Sequence, residues 1–169
     1  MTAVTGTASQ TPAQLAAALF NDGLGNQWTL IIGYTVSVKA LGGAEGGNLS
    51  SAIQAALNSM GGGVLSLDVT SGSMSSPVTS TDNKTSIEGL GIDATSITSI
   101  GALDDMFIFT TSSTGSNLNP SGGLKSMTIN GLGTVKRCVK TSSTSFGGFD
   151  QLKVRGATED NLRYIRYYS

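Results

Sequence analysis

Histidine is absent from this 169-residue chain, and cysteine occurs once, at Cys138. Ser-His-Asp and Cys-His nucleophilic sites, His-ligated metal chemistry, a zinc site and an intrachain disulfide each need a partner that the sequence lacks. Carboxylates remain as the reactive class, and two adjacent pairs stand out, Asp104-Asp105 and Glu159-Asp160. Glycoside hydrolysis needs two carboxyl groups facing a sugar across roughly 5–9.5 Å. Neighbours in a strand point to opposite faces, so Asp104-Asp105 reads better as a turn, and Glu159-Asp160, leading into Asn161-Leu162-Arg163, as a polar loop. Gly61-Gly62-Gly63 lacks the Lys-Ser/Thr of a phosphate loop and reads as a helix end. No catalytic residue, cofactor or metal ligand is assigned. The tail Arg163-Tyr164-Ile165-Arg166-Tyr167-Tyr168 interleaves basic and aromatic side chains. Such a tail can stack on a sugar or a nucleic acid strand, yet it reads first as a final strand or a subunit-contact arm. With Trp28, which reads as a core or interface anchor, Arg163, Tyr164, Arg166, Tyr167 and Tyr168 form the candidate interface.

The elements that must position these residues come from an unusual composition. Charged residues are 12% of the chain, Gly fills 23 positions and the net charge is −1. Ser and Thr add about a quarter of the chain, a composition suited to strands and turns. So small a net charge gives no general attraction for nucleic acid, and no stretch approaches the ~20 apolar residues of a membrane span. The start, Met1 to Gly6, has no basic region of a signal peptide. Low charge with frequent aliphatic residues predicts subunit contacts. The charges are unevenly placed. Residues 1–124 hold Lys39 and Lys84 against eight acids, whereas residues 125–169 hold eight Lys or Arg against three. In a rod-like fold this polarity would favour end-to-end or side-by-side association, although an ordinary solvated surface has the same composition.

Along the chain, Thr11-Pro12 followed by Gln14 to Phe20 predicts a short helix near the N-terminus. Trp28 to Ile32 and Tyr34 to Val38 read as strands. Leu49, Ala52, Ile53, Ala56, Leu57 and Met60 recur at i, i+3, i+4, i+7, i+8 and i+11, one apolar helix face, with Asn48 able to cap the first turn. Short apolar stretches then follow: Val64 to Val69, Thr85 to Leu90, Ser96 to Ile100, Phe107 to Phe109, Leu124 to Ile129, Cys138 to Lys140 and Leu152 to Val154. Most alternate, and no crossover helices lie between them, which excludes a doubly wound α/β sheet and leaves a solenoid or a β-sandwich. Ile87-Glu88-Gly89-Leu90-Gly91 and Ile129-Asn130-Gly131-Leu132-Gly133 share a form expected of equivalent corners on successive coils.

The segment from Tyr34 to Val69 resembles the opening of pectate-lyase-like right-handed β-helices, particularly those of bacteriophage tail spikes and polysaccharide depolymerases. The order of elements carries the resemblance: the strand Val36-Ser37-Val38, the turn Glu45-Gly46-Gly47, the helix Ser51-Ala52-Ile53-Gln54-Ala55-Ala56-Leu57, and Gly61-Gly62-Gly63 leading into Val64-Leu65-Ser66-Leu67. It departs from the usual pattern where an Asp-rich stretch precedes the helix, because this chain has Gly46-Gly47-Asn48-Leu49-Ser50. A helix laid across the end of an open solenoid removes its core from water, a task suited to residues 49–60.

The expected fold is therefore all-β dominated, a short right-handed parallel β-helix with an amphipathic N-terminal capping helix and an additional short helix near the N-terminus. Residues 1–47 would be an N-terminal attachment helix and strands, and 48–169 the helix-capped β-helix, forming one continuous domain. The resemblance implies a virion structural protein of the tail spike or tail fibre type, a homotrimer with other virion proteins of tail or capsid as partners and a bacterial surface glycan as a further candidate. It implies location in the virion after synthesis in the host cytoplasm. A capsid decoration protein, a polysaccharide depolymerase or a fragment of one, and the start of a longer spike stay open as alternatives.

Overall fold

The computed structural model describes residues 19–21, 27–29, 35–60, 62–81, 85–110, 122–142 and 148–165. Alternating and β-branched segments set the architecture, and strands dominate it. β1 (Leu19–Asn21) and β2 (Gln27–Thr29) form a separate antiparallel pair, with Phe20 opposite Trp28. The helix expected near the N-terminus does not run through Leu19 and Phe20, whose backbone pairs with Thr29 and Trp28 as a strand instead. The remainder of that expected helix lies outside the described residues.

Nine further strands make one parallel sheet that curls round on itself. They are β3 (Thr35–Ser37), β4 (Gly63–Ser66), β5 (Ser71–Met74), β6 (Val78–Ser80), β7 (Thr85–Glu88), β8 (Ser96–Ser99), β9 (Leu103–Thr110), β10 (Gly123–Ser142) and β11 (Gly148–Ile165). Their pairings resolve into three ladders. The first stacks β3, β4, β7 and the starts of β10 and β11. The second stacks β5, β8 and the middles of β10 and β11, and the third stacks β6, β9 and their ends. Each pass of the chain visits the ladders in the same order, and β11 is the fifth and last described.

Register explains the core. Val36, Leu65, Ile87, Leu124 and Phe149 are successive partners in the first ladder, Gly72, Ile97, Ile129 and Val154 in the second, and Val78, Phe107, Val139 and Leu162 in the third. Leu65, Ile87, Leu124, Ile97, Ile129, Phe107 and Val139 are completely buried. Each such side chain contributes about 1.5–3 kcal/mol relative to exposure. Shifting one strand by one residue would turn a whole row outward, so these rows fix the pairing.

In the first pass a helix, α1 (Ser50–Ser59), stands where the third ladder would begin. The apolar face Leu49, Ala52, Ile53, Ala56, Leu57 and Met60 is buried against the core. Leu49 enters the stack beside Gly72, where a Cβ would stand 2.9 Å from Leu49 Cγ; only glycine leaves the room. The helix cap position is Leu49 rather than Asn48, but the Asn48 side-chain oxygen still accepts the Ser50 N–H at 3.1 Å. Met60 is extended beyond the last turn, and Gly62 and Gly63 take positive φ to enter β4.

The Gly-Leu-Gly stretches are not equivalent corners. Gly89-Leu90-Gly91 leads from the first ladder to the second, whereas Gly131-Leu132-Gly133 leads from the second to the third. The corner that recurs lies at Ser126 (φ 55) and Gln151 (φ 50), flanked by the partner pairs Lys125 with Asp150 and Met127 with Leu152. One left-handed residue makes that bend in the fourth pass and one in the fifth, an uncommon conformation for a residue with a side chain.

Candidate functional site: the last pass and its charged rows

The strands of the second pass are each covered by residues of the first. β3 covers the first ladder. Residues 45–49 cover the second: Gly46 N–H donates to Ser71 O at 2.9 Å, Ser73 N–H to Gly47 O at 2.9 Å and Leu49 N–H to Ser73 O at 2.8 Å. The Glu45 carboxylate accepts from the backbone N–H groups of Thr70 and Ser71, at 2.9 and 2.7 Å, and from both hydroxyls. These bonds, led by the one from the Thr70 hydroxyl, lower the Glu45 pKa to about 2. The third ladder is closed by side chains. The Gln54 amide accepts from Thr79 N–H at 2.7 Å and donates to Thr79 O at 2.9 Å, as a neighbouring strand would. Ser50 Oγ accepts from Ser75 and Ser76 N–H and donates to Ser76 O.

The last pass has no such covering among the described residues. Among the described strands β11 pairs with β10. Leu152, Val154 and Ala157 are half-buried and Leu162 is 48% exposed, although their partners Met127, Ile129, Val135 and Val139 are wholly buried. Phe149 packs edge-on against Phe109, with ring centroids 5.8 Å apart.

Charges tie the passes together. The acids of the third pass meet bases of the fourth and fifth: Glu88 with Lys125 at 3.2 Å, Asp93 with Lys153 at 3.7 Å, Asp104 with Lys136 at 2.7 Å, and Asp105 with Arg137 at 2.5 Å. Arg137 grips both Asp105 oxygens and also Glu159 at 3.3 Å, while Lys140 stands 3.9 Å from Asp105. The Asp105–Arg137 pair is largely removed from water, with side chains 8% and 15% exposed. The hydrogen bond from Lys136, then its charge, lowers the Asp104 pKa, and the Asp105 hydrogen bond raises that of Arg137. The opposite-sign halves of the sequence are thus matched within the stack.

Both carboxylate pairs differ from their sequence reading. Asp104-Asp105 lies in β9 rather than a turn, and Glu159-Asp160 in β11 rather than a loop. The bases opposite them on β10 explain this, because cross-strand ion pairs stabilise polar residues within strands. Cys138 is buried, its sulfur 3.4 Å from Arg155 O, and burial raises its pKa. Of the candidate interface, Trp28 lies in β2 and Arg163 in β11, half exposed and 3.8 Å from Asp160. Tyr164 pairs through its backbone with Thr141, and Arg166, Tyr167 and Tyr168 lie outside the described residues. The structure therefore does not bring Trp28 and the tail into one described surface. Glu45, Gln54 and Arg137 were not singled out by residue type; only their register positions identify them. Among the described residues no group of three His, Cys, Asp or Glu side chains is placed to hold a metal ion, and no helix is long and apolar enough to cross a membrane.

The geometry defines a class: a strand-dominated protein whose parallel sheet curls round a single apolar core, with a helix closing one end. A solved structure, ORF18 of Geobacillus virus E2, is similar to it, with a TM-score of 0.64 and 26% identity over 76% of this chain. The chain spans about a quarter, 27%, of the length of that phage protein. No protein-family model matches the sequence, and no curated protein matches it.

Proposed function

We propose that the chain is a bacteriophage virion structural protein of the tail spike or tail fibre type, built as a short right-handed parallel β-helix and assembled as a homotrimer. The observation that carries this reading is the set of three parallel ladders, visited in the same order on each pass, in a chain similar to a phage protein. Its conspicuous acids act as mechanical ties: Asp104, Asp105 and Glu159 are each engaged by a base on the neighbouring pass. That favours a structural role over a depolymerase, whose two carboxyl groups must face a sugar. Pectate-lyase-like ancestry belongs to the same proposal.

Light scattering combined with small-angle scattering of the purified chain tests it. An elongated particle of three times the 17.2 kDa chain mass is expected. A compact monomer at all concentrations contradicts the trimeric spike. Immunogold electron microscopy of virions carrying the protein then locates it: label on the tail is expected, and label confined to the head returns the role to capsid decoration.

A further inference from the structure

We infer that the Thr70-Ser71 bend at the start of β5 is a carboxylate-binding site in its own right, filled in the intact chain by Glu45 as a tethered ligand and open to a free carboxylate once that side chain is withdrawn. Four donors converge there. Thr70 N–H reaches Glu45 Oε2 at 2.9 Å, while Ser71 N–H, Thr70 Oγ1 and Ser71 Oγ reach Oε1 at 2.7, 2.5 and 2.9 Å. Two successive backbone N–H groups that take one oxygen each fit a planar, two-oxygen anion, and the hydroxyls add to the grip. Among the described residues no Lys or Arg pairs with Glu45, so oriented neutral dipoles alone hold its charge. The cradle does not depend on its occupant. Thr70 O accepts Ser96 N–H and Ser71 O accepts Gly46 N–H, both at 2.9 Å, and β5 pairs with β8 from Ser71 onward. Both peptide groups therefore stay aimed when the carboxylate leaves, and a preorganised site loses little affinity to ordering. Glu45 stands between two glycine pairs, Gly42-Gly43 and Gly46-Gly47, and its side chain seats that loop on Thr70 and Ser71. Tethering gives it an effective concentration that a free acid must exceed, so the intact chain excludes competitors. The inference rests on this geometry alone and is independent of the virion reading.

The probe is sodium formate, a carboxylate with no side chain, added to the full chain carrying Glu45→Ala, with sodium chloride at equal ionic strength as the reference. A ligand of three heavy atoms binds no more tightly than roughly 1 mM, so the titration runs well above that. Formate should raise the thermal midpoint of Glu45→Ala saturably above the chloride reference. It should also move the Thr70 and Ser71 amide resonances along the same curve while leaving those of β10 in place. In the unsubstituted chain formate and chloride should act alike, since Glu45 holds the site. Adding Thr70→Val and Ser71→Ala to Glu45→Ala removes both hydroxyls and should weaken formate at least about tenfold. A Glu45→Ala chain that folds in formate but not in chloride gives the expected result in its strongest form, whereas one that folds in neither overturns the inference. Formate and chloride acting alike on Glu45→Ala, rescue that moves neither the Thr70 nor the Ser71 amide, or full formate affinity without the two hydroxyls overturns it as well.

Discussion

The two ends of the stack obey opposite rules. The first pass supplies β4, β5 and β6 with a short strand, a loop clasped by Glu45, and a helix that presents Gln54 as an imitation peptide group, while β3 itself pairs with β4 as the end strand of the sheet path. At the last described pass β11 pairs with β10, its apolar row is half-buried, and Leu162 is 48% exposed. A parallel sheet normally has both faces buried and its edges managed, since an exposed edge is a template for further pairing. The helix and the Glu45 loop at one end therefore give the described stack a direction.

Mutations at corresponding depths should expose that difference. Leu49→Ala at the closed end removes a completely buried side chain and should destabilise by about 3 kcal/mol, whereas Leu162→Ala at the open end should cost less than about 1 kcal/mol. Urea denaturation measures both, and equal costs would erase the distinction between the ends. Arg137→Ala leaves Asp105 largely buried without its partner and should cost about 2–3 kcal/mol, loosening the fourth and fifth passes before the first. Gln54→Ala unpairs the Thr79 backbone N–H and C=O and should cost about 1–2 kcal/mol, with faster exchange of the Thr79 amide as the local reading.

The smallest effect is a pH dependence. The Glu45 pKa is about 2 in the fold against an ordinary value of 4.5, so the folded state holds the ionised form. Its stabilisation is fully present above pH 4.5 and is lost as the pH falls through the window toward pH 2. Glu45→Gln should flatten the acid limb of the stability curve across that window, measured by thermal unfolding at a series of pH values. An unchanged limb would remove Glu45 from the closure of the second ladder.

Much of this was legible in the sequence where one segment carries its own periodicity. Leu49 to Met60 declares a helix face in 12 residues, and the alternating stretches declare strands. What depends on register was hidden. Ser71-Gly72-Ser73-Met74 has little intrinsic preference for a strand and becomes one because β8 and residues 47–49 pair on either side of it. The acidic and basic halves looked like an external polarity, but stacking places Glu88, Asp93, Asp104 and Asp105 against bases of the passes that follow. The Gly-Leu-Gly repeat suggested a period that the chain does not keep, while the true recurring corner, Ser126 and Gln151, shares no residue type. Glu45 and Gln54 act through backbone groups about 25 residues away, a relation no local pattern records.

Residue-level hydrogen exchange of the purified chain under native conditions tests the central claim most directly, because exchange reports local opening free energies pass by pass. Amides of β4, β5 and β7 should be the most protected, and protection should fall across β10 to a minimum in β11. Protection of β11 equal to that of β4 would contradict a stack in which β4 is flanked by strands on both sides and β11 has one described partner strand.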